Sequence, residues 1–117
     1  FEDILAALEA DGSDWATKEL KTLRSKSPTA CKVSLRLLRE GATRKDFAGE
    51  MTLEYALTVH VTKRHDFVEG VRAMLIDRDN APEWQPARAE QVSEAELDAL
   101  FATLPPREAW TPLEETA

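Results

Sequence analysis

The chain has 117 residues, a length that allows one domain. Its 15 Lys and Arg against 22 Asp and Glu give a formal net charge of −7, which disfavours nucleic acid as the main partner because an acidic chain repels a phosphate backbone. Residues are 43% hydrophobic and 32% charged, as is typical of a folded domain. No mostly apolar stretch approaches the roughly 20 residues needed to cross a bilayer, so we expect no membrane segment.

The single cysteine, Cys31, excludes an intrachain disulfide and a structural zinc site. It lies one turn into a predicted helix, where N-terminal amides lower a thiol pKa, but its neighbours Ala30 and Val33 favour a small buried apolar residue. We find no metal motif and no glycine-rich phosphate loop. The chain begins with Phe1 and a mixture of acidic and apolar residues, without a basic leader, so we expect a piece of a longer protein.

Apolar periodicity predicts five to six amphipathic helices. They cover residues 2–10, 14–26, 28–40, about 43–62, 66 to 77–81, and a last helix that follows residue 93. Ser27 followed by Pro28 is a helix start, and Ser93 with Glu96 forms a capping box. We also expect Asp14 to cap the second helix and Gly41 to end the third in a left-handed conformation.

The fourth helix is predicted to be long and well buried, with Phe47, Met51 and Tyr55 at helical spacing. Its end, residues 58–62, is rich in β-branched residues and is compatible with a strand. We keep it helical because it continues the upstream register and no second strand is available to pair with it. Asp66 and Glu69 resemble a capping box at the start of the fifth helix.

The segment 80–91 is predicted to be an ordered loop because Trp84 stands between Pro82 and Pro86. Residues Pro105 and Pro106 should end regular structure. The sequence thus predicts an all-α bundle with a Pro/Trp loop, divided into a helical domain over residues 1–104 and a tail over 105–117.

Candidate catalytic groups are few. His65 beside Asp66 has the composition of a base and its orienting carboxylate, although adjacent residues at a helix start rarely face each other and Asp66 suits capping better. Glu50, Glu54 and Glu69 are candidate general acids, but glutamates in amphipathic helices are more often solvated or capping. Basic residues at Lys32, Arg36 and Arg39 form a cationic edge that is usually a solvated helix face.

One long motif carries the strongest signal. Residues 65–79, HDFVEGVRAMLIDRD, followed by PEWQPA at 82–87, resemble a segment of the 3-hydroxyisobutyryl-CoA hydrolases, a branch of the enoyl-CoA hydratase/isomerase (crotonase) superfamily. Upstream, residues 27–41 and Glu54 with Tyr55 are similar to further segments of that family. The resemblance covers nearly all of the chain, up to about Phe101.

The resemblance implies that this chain is the C-terminal helical part of such a protein. In that family the CoA pocket, the oxyanion-hole amides and the catalytic carboxylates lie in an N-terminal core, so it implies no catalytic residue here and no metal. Similarity to a related crotonase segment implies that Arg78 and Trp84 contact CoA, the first through phosphate and the second by stacking on adenine. The alternative is that Trp84 pins its loop and Arg78 interacts with a helix C-terminus.

We therefore expect a parent protein that hydrolyses a short 3-hydroxyacyl-CoA thioester in valine breakdown, with CoA as part of the substrate and no prosthetic group. Two alternatives stay open: a hydratase or isomerase of the same superfamily, and a non-enzymatic helical interaction module. The helices are expected to pack on the missing core or to self-associate, with no nucleic acid or membrane partner. Composition suggests a bacterial cytoplasmic protein, and eukaryotic relatives are expected to be mitochondrial.

Overall fold

The computed structural model describes residues 1–113, which fold into six α-helices without a strand. The helices are α1 (Glu2–Asp11), α2 (Asp14–Arg24), α3 (Pro28–Gly41), α4 (Phe47–Val61), α5 (His65–Val71) and α6 (Glu94–Leu100). A π-helical turn (Arg72–Ile76) continues α5, and a 3₁₀ turn (Ala89–Gln91) precedes α6. The predicted all-α fold is confirmed. Over the same 113 residues, no helix has the length and apolar character that spanning a membrane requires.

Two predicted helix starts are confirmed. The Ser27 hydroxyl accepts from the Ala30 amide at 3.2 Å, with Pro28 at the first helical position. The Ser93 hydroxyl accepts from the Glu96 amide at 3.2 Å, and the Glu96 carboxylate accepts from the Ser93 amide at 3.3 Å. These bonds satisfy amides that a helix N-terminus leaves without an intrahelical partner.

Two other predicted caps are wrong. Ser13, not Asp14, caps α2, because its hydroxyl accepts from the Ala16 amide at 3.1 Å, and Asp14 is the first helical residue. Gly41 remains helical rather than left-handed, since a further right-handed turn satisfies the last carbonyls of α3. Thr43 contributes to this turn by donating its hydroxyl to the Glu40 carbonyl at 2.7 Å.

Helix α4 differs from expectation in burial. It begins at Phe47, later than predicted, because the Asp46 carboxylate accepts from the Gly49 amide at 2.7 Å and caps it there. It stays helical to Val61, as predicted despite the β-branched run. The expectation of a well-buried helix is wrong, because Phe47 is 75% exposed and Tyr55 42% exposed.

The core is small and lies between α3, α4 and α6. It consists of buried apolar side chains at Val33, Leu57, Val92, Leu97 and Leu100. The accessible surface is 8506 Å², against about 6,400 Å² for a compact monomer of this mass. The radius of gyration is 16.9 Å, against about 13 Å for a compact domain of this length. The helices therefore form an open arrangement that leaves apolar faces uncovered.

Helix α6 already ends at Leu100, upstream of Pro105 and Pro106, which were expected to end regular structure, and the chain forms no further regular helix through residue 113. A turn forms here, with the Glu108 amide donating to the Pro105 carbonyl at 2.8 Å. The division between a domain ending at residue 104 and a tail stays a prediction. The last part of that tail, residues 114–117, lies outside the described residues.

Candidate functional site

The loop that follows the π-helical turn is bound to α5 by two carboxylates. Asp66 accepts from the Gln85 amide at 2.7 Å, and its other oxygen accepts from the Ser27 hydroxyl at the start of α3. Glu69 accepts from the Glu83 amide at 2.8 Å. Since Gln85 and Glu83 flank Trp84, these bonds fix the loop on both sides of the indole.

Arg72 completes this set of contacts. Its guanidinium donates to both oxygens of Glu69 at 2.9 and 2.7 Å, and also to Asp77 at 2.8 Å and Asp79 at 2.6 Å. It reaches the Ala81 carbonyl at 3.3 Å. The bonds from Arg72 and from the loop amide lower the pKa of Glu69 to about 2, and the acidic partners raise the pKa of Arg72. We call Asp66, Glu69 and Arg72 the clasp.

The clasp corrects two expectations for this motif. Asp66 and Glu69 do not form a capping box: α5 begins one residue earlier, at His65, and both carboxylates accept loop amides instead. His65 and Asp66 are not a base and its orienting carboxylate either. The His65 ring nitrogen Nε2 lies 3.0 Å from the Glu83 carbonyl oxygen, so the two side chains bind different parts of the loop.

Trp84 is half-buried and held from two sides. Its indole N–H donates to the Ser25 carbonyl at 3.0 Å. Its ring lies against Gly70, where an added Cβ would come within 3.3 Å of the indole. Glycine at position 70 therefore allows the indole to approach the backbone of α5. This geometry supports the alternative in which Trp84 pins its loop.

Beside the clasp lies a cavity of about 600 Å³, which we call the apolar groove. Its wall is almost wholly apolar and is formed mainly by Val33, Val61, Phe67, Val71, Met74, Trp84 and Leu100. Polar groups at its edge include Lys26, Thr29 and Arg64. This volume and lining are in the range of ligand pockets and of grooves that bind protein segments.

Arg78 does not line the groove that Trp84 lines. It is exposed, with a positive φ of 56°, and its Nε donates to the Leu75 carbonyl at 3.4 Å. The structure therefore does not bring the two predicted CoA contacts into one cavity. An arginine contact with a terminal carbonyl of the preceding turn is the alternative considered for Arg78.

The candidate thiol and the candidate cationic edge both have structural explanations. Burial raises the pKa of the Cys31 thiol, which contradicts a thiol activated by the helix terminus. Lys32 pairs with Glu2 at 2.6 Å, and Arg36 binds Glu40 and Asp98 at 2.7 Å each, so the cationic edge is partly neutralised.

Glu50 and Glu54 border a shallow cavity between the end of α3 and α4. One Glu50 oxygen is buried without a hydrogen-bond partner. In residues 1–113 no group of three or more His, Cys, Asp or Glu side chains could hold a metal ion. The structure thus assembles no catalytic group from the candidate acids.

Two members of the arrangement were missed from sequence. Arg72 was not singled out, although its spacing of three from Glu69 on a helix predicts an ion pair. Ser27 was recognised as a cap, but its second bond, to Asp66, spans 39 residues of sequence. No local pattern indicates a contact of that range.

A family model described as enoyl-CoA hydratase/isomerase matches residues 1–101. The 3-hydroxyisobutyryl-CoA hydrolase of Gallus gallus, a mitochondrial protein by name, is 47% identical over 104 residues, which are 89% of this chain and 27% of the relative. The mitochondrial enzyme of the same name from Homo sapiens is 43% identical over 103 residues, 88% of this chain and 26% of the relative.

Solved structures agree with this fold. A carnitinyl-CoA dehydratase from Mycobacterium thermoresistibile has a TM-score of 0.83 and 35% identity, over 90% of this chain and 30% of that one. An enoyl-CoA hydratase from Rhodobacter sphaeroides 2.4.1 has a TM-score of 0.83 and 34% identity, over 92% of this chain and 32% of that one.

The chain spans about a quarter of the length of the curated relatives that it matches. The resemblance read from residues 65–87 is confirmed, because the family match covers those residues and most of the sequence before them. The chain therefore belongs to the enoyl-CoA hydratase/isomerase family.

Proposed function

We propose that this chain is the C-terminal helical part of a 3-hydroxyisobutyryl-CoA hydrolase, whose whole protein hydrolyses the thioester of a short 3-hydroxyacyl-CoA. One observation carries the proposal. Identity to proteins of that name is 40–47%, sustained over 103–107 residues, whereas the dehydratase and hydratase structures are 34–35% identical.

The catalytic groups of this reaction lie, in our proposal, outside the 117 residues. Two observations support this. The chain covers only 27% of the Gallus gallus relative, and the carboxylates of Asp66 and Glu69 are hydrogen-bonded to amides of the loop. The missing part would supply amides that stabilise an oxyanion and a carboxylate that activates water. We expect the isolated chain to release no CoA from 3-hydroxyacyl-CoA.

The decisive experiment uses the full-length product of the gene that encodes this chain. CoA release from 3-hydroxyisobutyryl-CoA is followed with a thiol reagent, and hydration of a short enoyl-CoA is followed by loss of the conjugated thioester absorbance. Thioester hydrolysis without hydration supports the proposal. Hydration without CoA release would establish the second candidate, a hydratase, which the likeness to the two solved structures favours.

The contact of Arg78 and Trp84 with CoA stays a proposal. Arg78 is the more testable of the two because it is exposed and its side chain makes one long bond, to Leu75. Arg78→Ala in the full-length protein should raise KM for acyl-CoA and leave kcat unchanged if the guanidinium binds phosphate. Arg107→Ala, which removes another exposed arginine, is the matched control. An unchanged KM in Arg78→Ala would remove this residue from the site.

Partners and compartment follow from the proposed parent. The acyl-CoA would be bound through the part of the protein that is not in this chain, as substrate rather than as a prosthetic group. A location in the bacterial cytoplasm remains our prediction from composition, and the mitochondrial names of the relatives support a mitochondrial location for a eukaryotic parent.

A further inference from the structure

A second cavity lies at the connection between α4 and α5, and we call it the polar cavity. Its volume is about 330 Å³, and the start of α3 and the loop at Gln85 complete its wall. The lining consists of six polar side chains, which are Thr29, Lys63, Arg64, His65, Asp66 and Gln85. The neighbouring apolar groove has an almost wholly apolar wall, so the two cavities suit different occupants.

The lining of the polar cavity carries more positive than negative charge, although the chain is acidic overall. Lys63 and Arg64 are cations, and Asp66 is the acidic residue among the six. Both oxygens of Asp66 already accept hydrogen bonds, one from the Gln85 amide at 2.7 Å and the other from the Ser27 hydroxyl. An anion in the cavity would therefore be attracted by two cations and repelled by one carboxylate whose charge is already solvated by donors.

The two cations have donors to offer. Lys63 is exposed and pairs with no carboxylate within residues 1–113. Arg64 donates from one terminal nitrogen to Glu96 at 2.9 Å, and its side chain makes no other hydrogen bond to the described residues. Since a guanidinium carries five N–H donors, most of those on Arg64 are available to a ligand.

Thr29 adds an unused hydroxyl to this lining. The residue is 8% exposed, and its Oγ1 is buried without a hydrogen-bond partner among the described residues. Thr29 lies in the first turn of α3, a helix of 14 residues whose N-terminus carries partial positive charge. Helical threonines adopt two side-chain rotamers, so rotation can direct this hydroxyl at an anion in the cavity that Thr29 lines.

We propose that the polar cavity is an oxyanion site that binds free phosphate, with Lys63 and Arg64 supplying charge and the Thr29 hydroxyl donating one hydrogen bond. Phosphate fits better than a carboxylate, because its tetrahedral oxygens accept from several directions and its two charges balance both cations. Arg78 and Trp84 do not line this cavity, so the site is separate from the proposed CoA contact. The inference does not rest on the proposed hydrolase activity.

The test is calorimetric titration of the full-length protein with inorganic phosphate, at an ionic strength held constant with sodium chloride because salt screens exposed charges. We expect saturable binding of one phosphate per chain. Lys63→Gln should weaken it about tenfold or more, since it removes a charged donor. Thr29→Val, which keeps the side-chain shape, should weaken it several-fold. Lys18→Gln on α2 removes an exposed lysine that does not line the cavity, and should leave the affinity unchanged.

A second titration in the presence of saturating CoA separates this site from a CoA phosphate subsite. Phosphate binding that persists there and depends on Lys63 and Thr29 supports the inference. Absence of saturable binding would overturn it, as would displacement by CoA or an affinity unaltered in Lys63→Gln or in Thr29→Val. The titration requires no turnover, so phosphate binding to a protein that hydrolyses no thioester would refute the proposed hydrolase reaction alone.

Discussion

The clasp makes a quantitative prediction for Asp66. Its carboxylate accepts one bond from the Gln85 amide at 2.7 Å and a second from the Ser27 hydroxyl. A hydrogen bond to a charged group contributes about 1.5–3 kcal/mol, and the lower part of this range applies because Asp66 is half-exposed. Asp66→Ala should therefore lower the free energy of unfolding by about 2–4 kcal/mol. Urea unfolding followed by far-ultraviolet circular dichroism measures this difference.

Asp66→Asn is the matched control, because its amide group can accept from the Gln85 N–H and donate to the Ser27 hydroxyl. We expect it to cost less than about 1 kcal/mol. A double-mutant cycle with Ser27→Ala should give a coupling free energy of about 1–2 kcal/mol, since the two side chains bind each other directly. Equal losses for the Ala and Asn variants, together with no coupling to Ser27, would refute the account of the clasp.

Three further predictions concern the core, acid stability and the loop. Leu97 is 4% exposed, so Leu97→Ala should cost about 2–4 kcal/mol in urea unfolding, and a loss below about 1 kcal/mol would contradict its place in the core. The pKa of Glu69 and of Glu2 is about 2, below the 4.5 of the free side chain, so their stabilisation is complete above about pH 5 and is lost as the pH falls toward 2. Glu69→Gln should flatten this loss in an acid titration of stability, and an unchanged slope would contradict the assignment. Gly70→Ala should destabilise the protein when Trp84 is present, because the added methyl group meets the indole. In a Trp84→Ala background the same change should stabilise the protein by about 1 kcal/mol. Additive effects of the two substitutions in thermal unfolding would argue against the close contact between Gly70 and Trp84.

Local signals account for the parts of the fold that the sequence predicted correctly. The caps at Ser27 and Ser93 form hydrogen bonds to groups within four residues along the chain. Such bonds can therefore be predicted without tertiary information. The helical register likewise outweighed the β-branched run at the end of α4. These elements are fixed by neighbours in sequence.

The error at Asp66 arises because distant groups compete for its side chain. Asp66 has the sequence context of a cap, yet it binds an amide 19 residues later and a hydroxyl 39 residues earlier. The π-helical turn was also not predicted: the Asp77 amide donates to the Arg72 carbonyl at 2.8 Å, and the Arg72 side chain binds Asp77 and Asp79. Helix periodicity carries no information on such contacts.

Burial of α4 was overestimated for a different reason. Periodicity shows that Phe47 and Tyr55 share a face with apolar neighbours, but not whether this chain contains the surface that covers them. Their exposure of 75% and 42% is the expected result for helices that complete their core with other parts of a protein. The prediction that Arg78 and Trp84 both contact CoA came from resemblance to a related segment. In the structure the two residues do not line one cavity.

The most recognisable segment of this sequence is also the one that binds its own loop. Asp66, Glu69 and Arg72 of the motif contact backbone groups within residues 81–85, so much of the motif's polar content is used in binding this loop to α5. A clasp of this kind is equally compatible with a hydrolase and with a hydratase, because none of its groups is left free to distinguish water attack on a thioester from water addition to a double bond. What the clasp determines is the position of Trp84 and of the groove wall that Trp84 forms. We therefore expect the difference between the two reactions to arise from groups outside this chain, and substitutions in the clasp should lower stability before they alter the choice of reaction.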